Sequence, residues 1–131
     1  MVAEEFDQLS SESKTAQGGF KIDVKTIGKT NLACRDGDRA TVNYTGKLTD
    51  GRVFDSSLIG DKYANPFNFY IGQGEVISCW DQALASMFVG EKATVTCPAN
   101  MAYGQTSPGG IIPANATLIF DIDVLNCENP L

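Results

Sequence analysis

PGGIIPANATLIFDIDV, residues 108–124, decides the fold. Its second half alternates strictly, with Leu118, Phe120, Ile122 and Val124 on one face and Asp121 and Asp123 on the other. A period of two with one apolar face is the pattern of a half-buried β-strand. Its first half sets Ile111 and Ile112 among turn-forming glycine and proline. A long irregular loop in a compact domain is more often a binding element than filler, so a loop that carries large aliphatic side chains points to a pocket beside the sheet.

Working outward, the same alternation recurs. Phe20, Ile22 and Val24 alternate with Lys21, Asp23 and Lys25, and Ala40, Val42 and Tyr44 with Thr41, Asn43 and Thr45. Arg52-Val53-Phe54 follows the turn signal Thr49-Asp50-Gly51, which predicts a hairpin closing back on the strand that carries Tyr44. Phe67, Phe69 and Ile71 form a further strand ended by Gly72 and Gly74, and Ala93, Val95 and Cys97 form another. One stretch has helical spacing: in EVISCWDQALASM, residues 75–87, the residues Val76, Ile77, Trp80, Ala83, Leu84 and Met87 share one face. The fold class expected is α+β, an antiparallel sheet of about five strands wrapped around one short amphipathic helix.

The totals bound the rest. A chain of 131 residues has room for one domain and a tail. Residues 1–18, polar and acidic, read as a disordered acidic N-terminal tail, and residues 19–131 as the domain. With 43% hydrophobic residues the chain can bury a core, and a net charge of −6 without a basic run argues against nucleic acid as a partner. No run of 18 apolar residues occurs, so no membrane span is expected. The N-terminus lacks the pattern of a secretory signal, which makes the cytoplasm, with the nucleus as a second location, the expectation.

Cys34, Cys79, Cys97 and Cys127 are widely spaced without a C-x-x-C pair, and the chain has no histidine. A zinc site is therefore not expected, and neither metal nor cofactor is assigned. Counting leaves disulfides open, but free thiols are the expected state. Without histidine, Ser-His-Asp and Cys-His nucleophilic systems are excluded.

One helix cannot cover the whole sheet, so the inward aromatics Tyr44, Phe54, Phe67, Phe69, Trp80 and Phe120 either pack together or line a cleft. Their surroundings carry a resemblance. Tyr44-Thr45-Gly46, Phe54-Asp55-Ser56-Ser57, Pro66-Phe67-x-Phe69, Glu75-Val76-Ile77-x-x-Trp80, Tyr103-Gly104, Gly110-Ile111-Ile112-Pro113 and Thr117-Leu118-Ile119-Phe120-Asp121 follow one another in the order and approximate spacing of the FKBP-type immunophilins. Residues 20–125 resemble that family of peptidyl-prolyl cis/trans isomerases, which also bind the macrolides tacrolimus and rapamycin.

The resemblance implies a cleft between helix and sheet, with Trp80 as floor, Tyr44, Phe54, Phe67, Val76, Ile77 and Phe120 as walls, and Tyr103 and Ile111 closing one side from the loop. On that reading the loop isoleucines form a lip over a proline-sized pocket. Tyr103 would donate a hydrogen bond to a substrate carbonyl together with the backbone N–H of Ile77. Asp55 has two readings, polarising a twisted amide or holding the cleft in shape as a turn residue. Trp80, Phe120, Asp55 and Tyr103 are thus the candidate catalytic residues.

The implied partners are Xaa-Pro segments of protein clients and macrolide ligands, with the protein a monomer. Isomerisation breaks no bond, so a chain without histidine or metal remains suited to it. The alternative is a module that holds proline-containing peptides without turnover, because a pocket that binds both isomers equally catalyses nothing.

Three departures from the family pattern stand out. LIGDKYAN, residues 58–65, is longer than in the shortest members and lacks the arginine often found there, so Asp55 is expected to miss a partner. Cys79 stands where glycine commonly precedes the tryptophan, as a packing residue or, if exposed, a redox-sensitive thiol. The SPGG before Ile111 alters a rim where the family meets its protein partners.

Overall fold

The computed structural model describes residues 13–15, 19–58 and 65–130. Strand β1 (Ser13–Thr15) precedes β2 (Lys21–Thr26), β3 (Arg39–Leu48), β4 (Val53–Ser56) and β5 (Phe67–Tyr70). Helix α1 (Ser78–Leu84), β6 (Lys92–Cys97) and β7 (Leu118–Glu128) follow. All pairings are antiparallel, in the order β1-β2-β6-β7-β3-β4, with β5 sharing the outer edge of β3 with β4. The expected α+β class holds.

The long β3–β7 pairing places Tyr44 opposite Ile122 and Gly46 opposite Phe120. Along β7 the residues Leu118, Phe120, Ile122 and Val124 are all buried, as their alternation predicts. On the same inner face lie Ile22, Val42, Phe69 and Val95, against which α1 packs Cys79, Trp80, Ala83 and Leu84.

Two bulges adjust this frame. On β4, Asp55 pairs with Gly46 and Val53 with Lys47, so Phe54 is the extra residue and the strand bends there. On β7, Val124 pairs with Val42 and Asn126 with Thr41, which makes Leu125 the extra residue. The even-numbered inward pattern is thereby shifted by one, and Cys127, opposite Ala40, bonds to Cys34.

The structure corrects four expectations. Ser13–Thr15 lies in the expected disordered tail but pairs with β2, taking up edge hydrogen bonds that composition cannot reveal; residues 1–12 and 16–18 lie outside the described residues. The helix is shorter than its apolar spacing predicts: Ile77 is extended (φ −59°, ψ 149°) and caps it, while the carboxylate of Asp81 accepts the N–H groups of Gly72 and Gly74, holding the approach as a turn.

The cysteines are not free. Cys34 bonds to Cys127 and Cys79 to Cys97, across Cα separations of 5.3 and 5.8 Å. Sequence separations of 93 and 18 hid pairings that tertiary packing creates, each joining a strand residue, Cys127 or Cys97, to one outside the sheet. Finally, the two loop isoleucines part company. Ile112 is buried in the core, whereas Ile111 is 62% exposed.

Candidate active site

Four rings surround the indole of Trp80, itself 5% exposed on the first turn of α1. Tyr44 and Phe120 meet it edge-on at centroid distances of 5.0 and 5.2 Å, Phe67 edge-on at 6.0 Å, and Phe69 tilted at 5.7 Å. Edge-to-face contact aims the positive rim of one ring at the negative face of another, so the cluster is held by electrostatics as well as by burial. Phe54, turned by the β4 bulge, packs edge-on against Phe120 at 5.7 Å. Gly46 is what admits this pair, because a Cβ there would stand 2.6 Å from Phe54 Cζ and 2.9 Å from Phe120 Cε1.

A cavity of about 240 Å³ opens over this floor. It is lined by Tyr44, Phe54, Phe67, Val76, Ile77, Trp80 and Phe120, with Asp55, Glu75 and Tyr103 as its polar members. Every expected wall residue is thus brought together except Ile111, which lies outside the lining. The extended approach to α1 puts Val76 and Ile77 on the wall, so the residues read as the start of a helix instead serve the cleft.

Glu75 was not singled out by sequence reasoning. Its Oε1 accepts the Tyr70 N–H at 3.0 Å, tying the approach to β5, and its place in the Glu75-Val76-Ile77 motif is the signal that could have found it. A larger recess of about 420 Å³ lies elsewhere, bordered by Lys25, Lys92, Thr94, Asp121 and Asp123. Among the described residues Tyr44 is its one aromatic lining residue, so it lacks the ring cluster that surrounds Trp80.

Asp55 does not lack a partner. The Tyr44 hydroxyl donates to its Oδ2 at 2.6 Å and the Ser56 N–H to its Oδ1 at 2.9 Å. Burial, the hydrogen bond to Asp55 and the Asp55 charge all push the Tyr44 phenol well above its ordinary value, with a smaller push from Tyr103. Tyr44 is therefore a fixed hydroxyl donor, and one face of the carboxylate is already committed. Most of the 58–65 loop, residues 59–64, lies outside the described residues.

Facing the cavity, the Tyr103 hydroxyl has no hydrogen bond with the described residues, and the same holds for the Ile77 amide. Trp80 Nε1 is buried without a partner among the described residues. A cavity with an aromatic floor and two donors at its edge that are unengaged among the described residues suits a small apolar ring flanked by carbonyl oxygens.

The FKBP-type peptidyl-prolyl cis-trans isomerase family matches residues 31–125, which include every lining residue. The chain belongs to this family. FK506-binding protein 1 of Candida glabrata is 45% identical over 113 residues, covering 86% of this chain and 96% of that relative. Peptidyl-prolyl cis-trans isomerase FKBP1A of Xenopus laevis is 42% identical over 110 residues, 84% of this chain and 99% of its own length. Peptidyl-prolyl cis-trans isomerase Fkbp12 of Drosophila melanogaster is 46% identical over 94 residues, 72% of this chain and 84% of its own. The protein is an isomerase of the FKBP type, and the aromatic cleft is where the family resemblance and the geometry coincide.

Proposed function

We propose that the cleft takes Xaa-Pro segments of protein clients, with the proline ring on Trp80, and that the same cavity binds tacrolimus- and rapamycin-type macrolides. The arrangement of Trp80 within the rings of Tyr44, Phe67, Phe69 and Phe120 is the observation that carries this reading. FK506 binding is in the name of the Candida glabrata relative.

The chemistry follows from the amide. Resonance gives a peptide bond a rotational barrier of ~18–20 kcal/mol and places negative charge on its carbonyl oxygen. An Xaa-Pro bond populates both isomers and exchanges over tens to hundreds of seconds, slowly enough for acceleration to matter. The planar ground state is the more polar; the twisted transition state has lost that charge separation. An apolar cavity therefore disfavours the ground state relative to the transition state. Each ~1.36 kcal/mol of that difference raises the rate tenfold.

Trp80 and Phe120 supply the apolar floor and wall. The Tyr103 hydroxyl and the Ile77 N–H hold carbonyl oxygens flanking the rotating bond, so that one end stays fixed while the other turns. Asp55, held by Tyr44, keeps the rim in shape and directs its field across the cleft. Ile111, exposed on the loop and absent from the lining, meets the client outside the cavity.

We propose that the protein acts as a monomer, in an oxidising compartment rather than the cytoplasm. Two disulfides support that location, since paired cysteines persist where thiols are not kept reduced.

The test is the cis/trans exchange rate of a short Leu-Pro peptide, followed by NMR exchange spectroscopy with catalytic protein and then with a tacrolimus-type macrolide added. Faster exchange that returns to background with macrolide is the expected result. Macrolide binding without faster exchange would reduce the cleft to a binding module.

A further inference from the structure

We propose that the Cys79–Cys97 disulfide is a positioning element of the isomerase site, fixing the Trp80 floor against the strand end from which the Tyr103 loop departs. The need for such an element is visible in α1. It has seven residues, too few to be stable alone, and no side chain caps its N-terminus. The indole N–H has no partner among the described residues, so no polar bond fixes the floor. Its position depends on the surrounding rings and on the backbone that carries it.

Cys79 is the residue immediately before Trp80, and Cys97 ends β6; both are fully buried. After Cys97 the chain passes through Pro98 and the 3-10 turn Ala99–Met101 to Tyr103. Cys97 also pairs with Leu118, two residues before Phe120 on β7. One covalent bond thus sets the helix turn bearing the floor against the origins of both the Tyr103 loop and the Phe120 wall. Ser78 reinforces it from the adjacent position, its Oγ donating to the Met101 carbonyl at 3.3 Å.

The other disulfide is an internal control. Cys34–Cys127 closes a loop of sequence separation 93 and neither cysteine adjoins a lining residue in sequence. In the chain-entropy account of disulfides the longer loop stabilises more. With a separation of 18, Cys79–Cys97 is the weaker staple, placed where it orients the site.

Two double variants separate orienting from stapling. Cys34→Ala/Cys127→Ala is expected to lose more thermal stability while keeping, per folded molecule, the wild-type kcat/KM on an Xaa-Pro peptide. Cys79→Ala/Cys97→Ala is expected to lose kcat/KM by about fivefold or more, because a small misplacement of a positioned group is magnified in rate. Fluorescence from Trp80, the single tryptophan of the chain, should shift with it.

Should that variant fail to fold, reduction by a phosphine in the Cys34→Ala/Cys127→Ala background opens the one remaining bond. Reoxidation must then restore both rate and emission. Equal kcat/KM with the bond closed, opened or deleted overturns the proposal. The role rests on the isomerase reading, and the emission distinguishes the two: absent wild-type turnover sinks that reading, whereas an emission spectrum unchanged on opening the bond sinks this one.

Discussion

The Tyr44 hydroxyl bonds to Asp55 Oδ2 at 2.6 Å, joining the strand beneath the cleft to the bulged strand at its rim. Asp55 is exposed, so its carboxylate keeps water when the hydroxyl is removed. Tyr44→Phe should then cost about 1 kcal/mol of stability, the usual net worth of a hydrogen bond. If Asp55 works through this bond, Tyr44→Phe and Asp55→Asn each lower kcat/KM several-fold, and the double variant loses little more than either. A double-mutant cycle on kcat/KM checks it. Fully additive losses would mean that the carboxylate acts on substrate independently of Tyr44.

Among the described residues Trp80 meets more of the cleft's rings than any other, and its N–H has no hydrogen-bond partner. Trp80→Leu therefore removes the floor without orphaning a partner. We expect macrolide affinity and kcat/KM to fall at least about tenfold, about 1.4 kcal/mol of differential binding. Phe120→Tyr, which places a hydroxyl on a ring only 4% exposed, should also weaken binding more than it weakens the fold. Isothermal titration with macrolide, set beside urea unfolding, separates the two effects. An unchanged dissociation constant in either variant would place the pocket elsewhere.

Most of the sheet was legible because its strands alternate cleanly, and Leu118 through Val124 shows why: one buried face repeats every second residue. What failed depended on backbone detail that pattern does not encode. Val76 and Ile77 fit the helical face, yet the Asp81 carboxylate binds Gly72 and Gly74 and turns the chain before the helix begins. Ile111 and Ile112 look alike in sequence, but adjacent residues of a turn point apart, and only Ile112 is in the core. The disulfides were hidden for the same reason, since the bulge at Leu125 sets the place at which Cys127 meets Cys34 of the loop between β2 and β3. For the site, the aromatic set was readable from family-like motifs, whereas the Tyr44–Asp55 bond required the register of β3 against β4.

The chain has no histidine, its cysteines are paired, and Tyr44 is pushed upward by burial and by Asp55. Hence kcat/KM should be flat between about pH 6 and about pH 9, where imidazole or thiol catalysis would show a slope. Stability should behave differently at alkaline pH. The folded state favours the neutral phenol, so its contribution is complete below the unfolded tyrosine value of about 10. It is lost as pH rises through the higher folded value, because the unfolded chain ionises first. Urea midpoints measured from neutral pH to above about pH 10 check the sign, and Tyr44→Phe should flatten part of the alkaline decline. A decline that is identical in the variant would assign it to other groups.

Gly46 has no positive φ, so a side chain there meets no backbone objection. The obstacle is spatial: the added Cβ would reach Phe54 Cζ and Phe120 Cε1 far inside contact distance. Both rings line the cavity, and displacing them narrows or reshapes the wall that should receive proline. Gly46→Ala is expected to cost about 1–3 kcal/mol, as overpacking does, and to depress kcat/KM beyond what the folded fraction explains. Gly51→Ala is the contrasting variant. Its φ of 93° strains any side chain, yet nothing lies within 4 Å of the new Cβ, so about 1 kcal/mol of stability should go while turnover per folded molecule stays. If both alanines reduce turnover only in proportion to unfolding, the Phe54–Phe120 contact is packing and not part of the pocket's working shape.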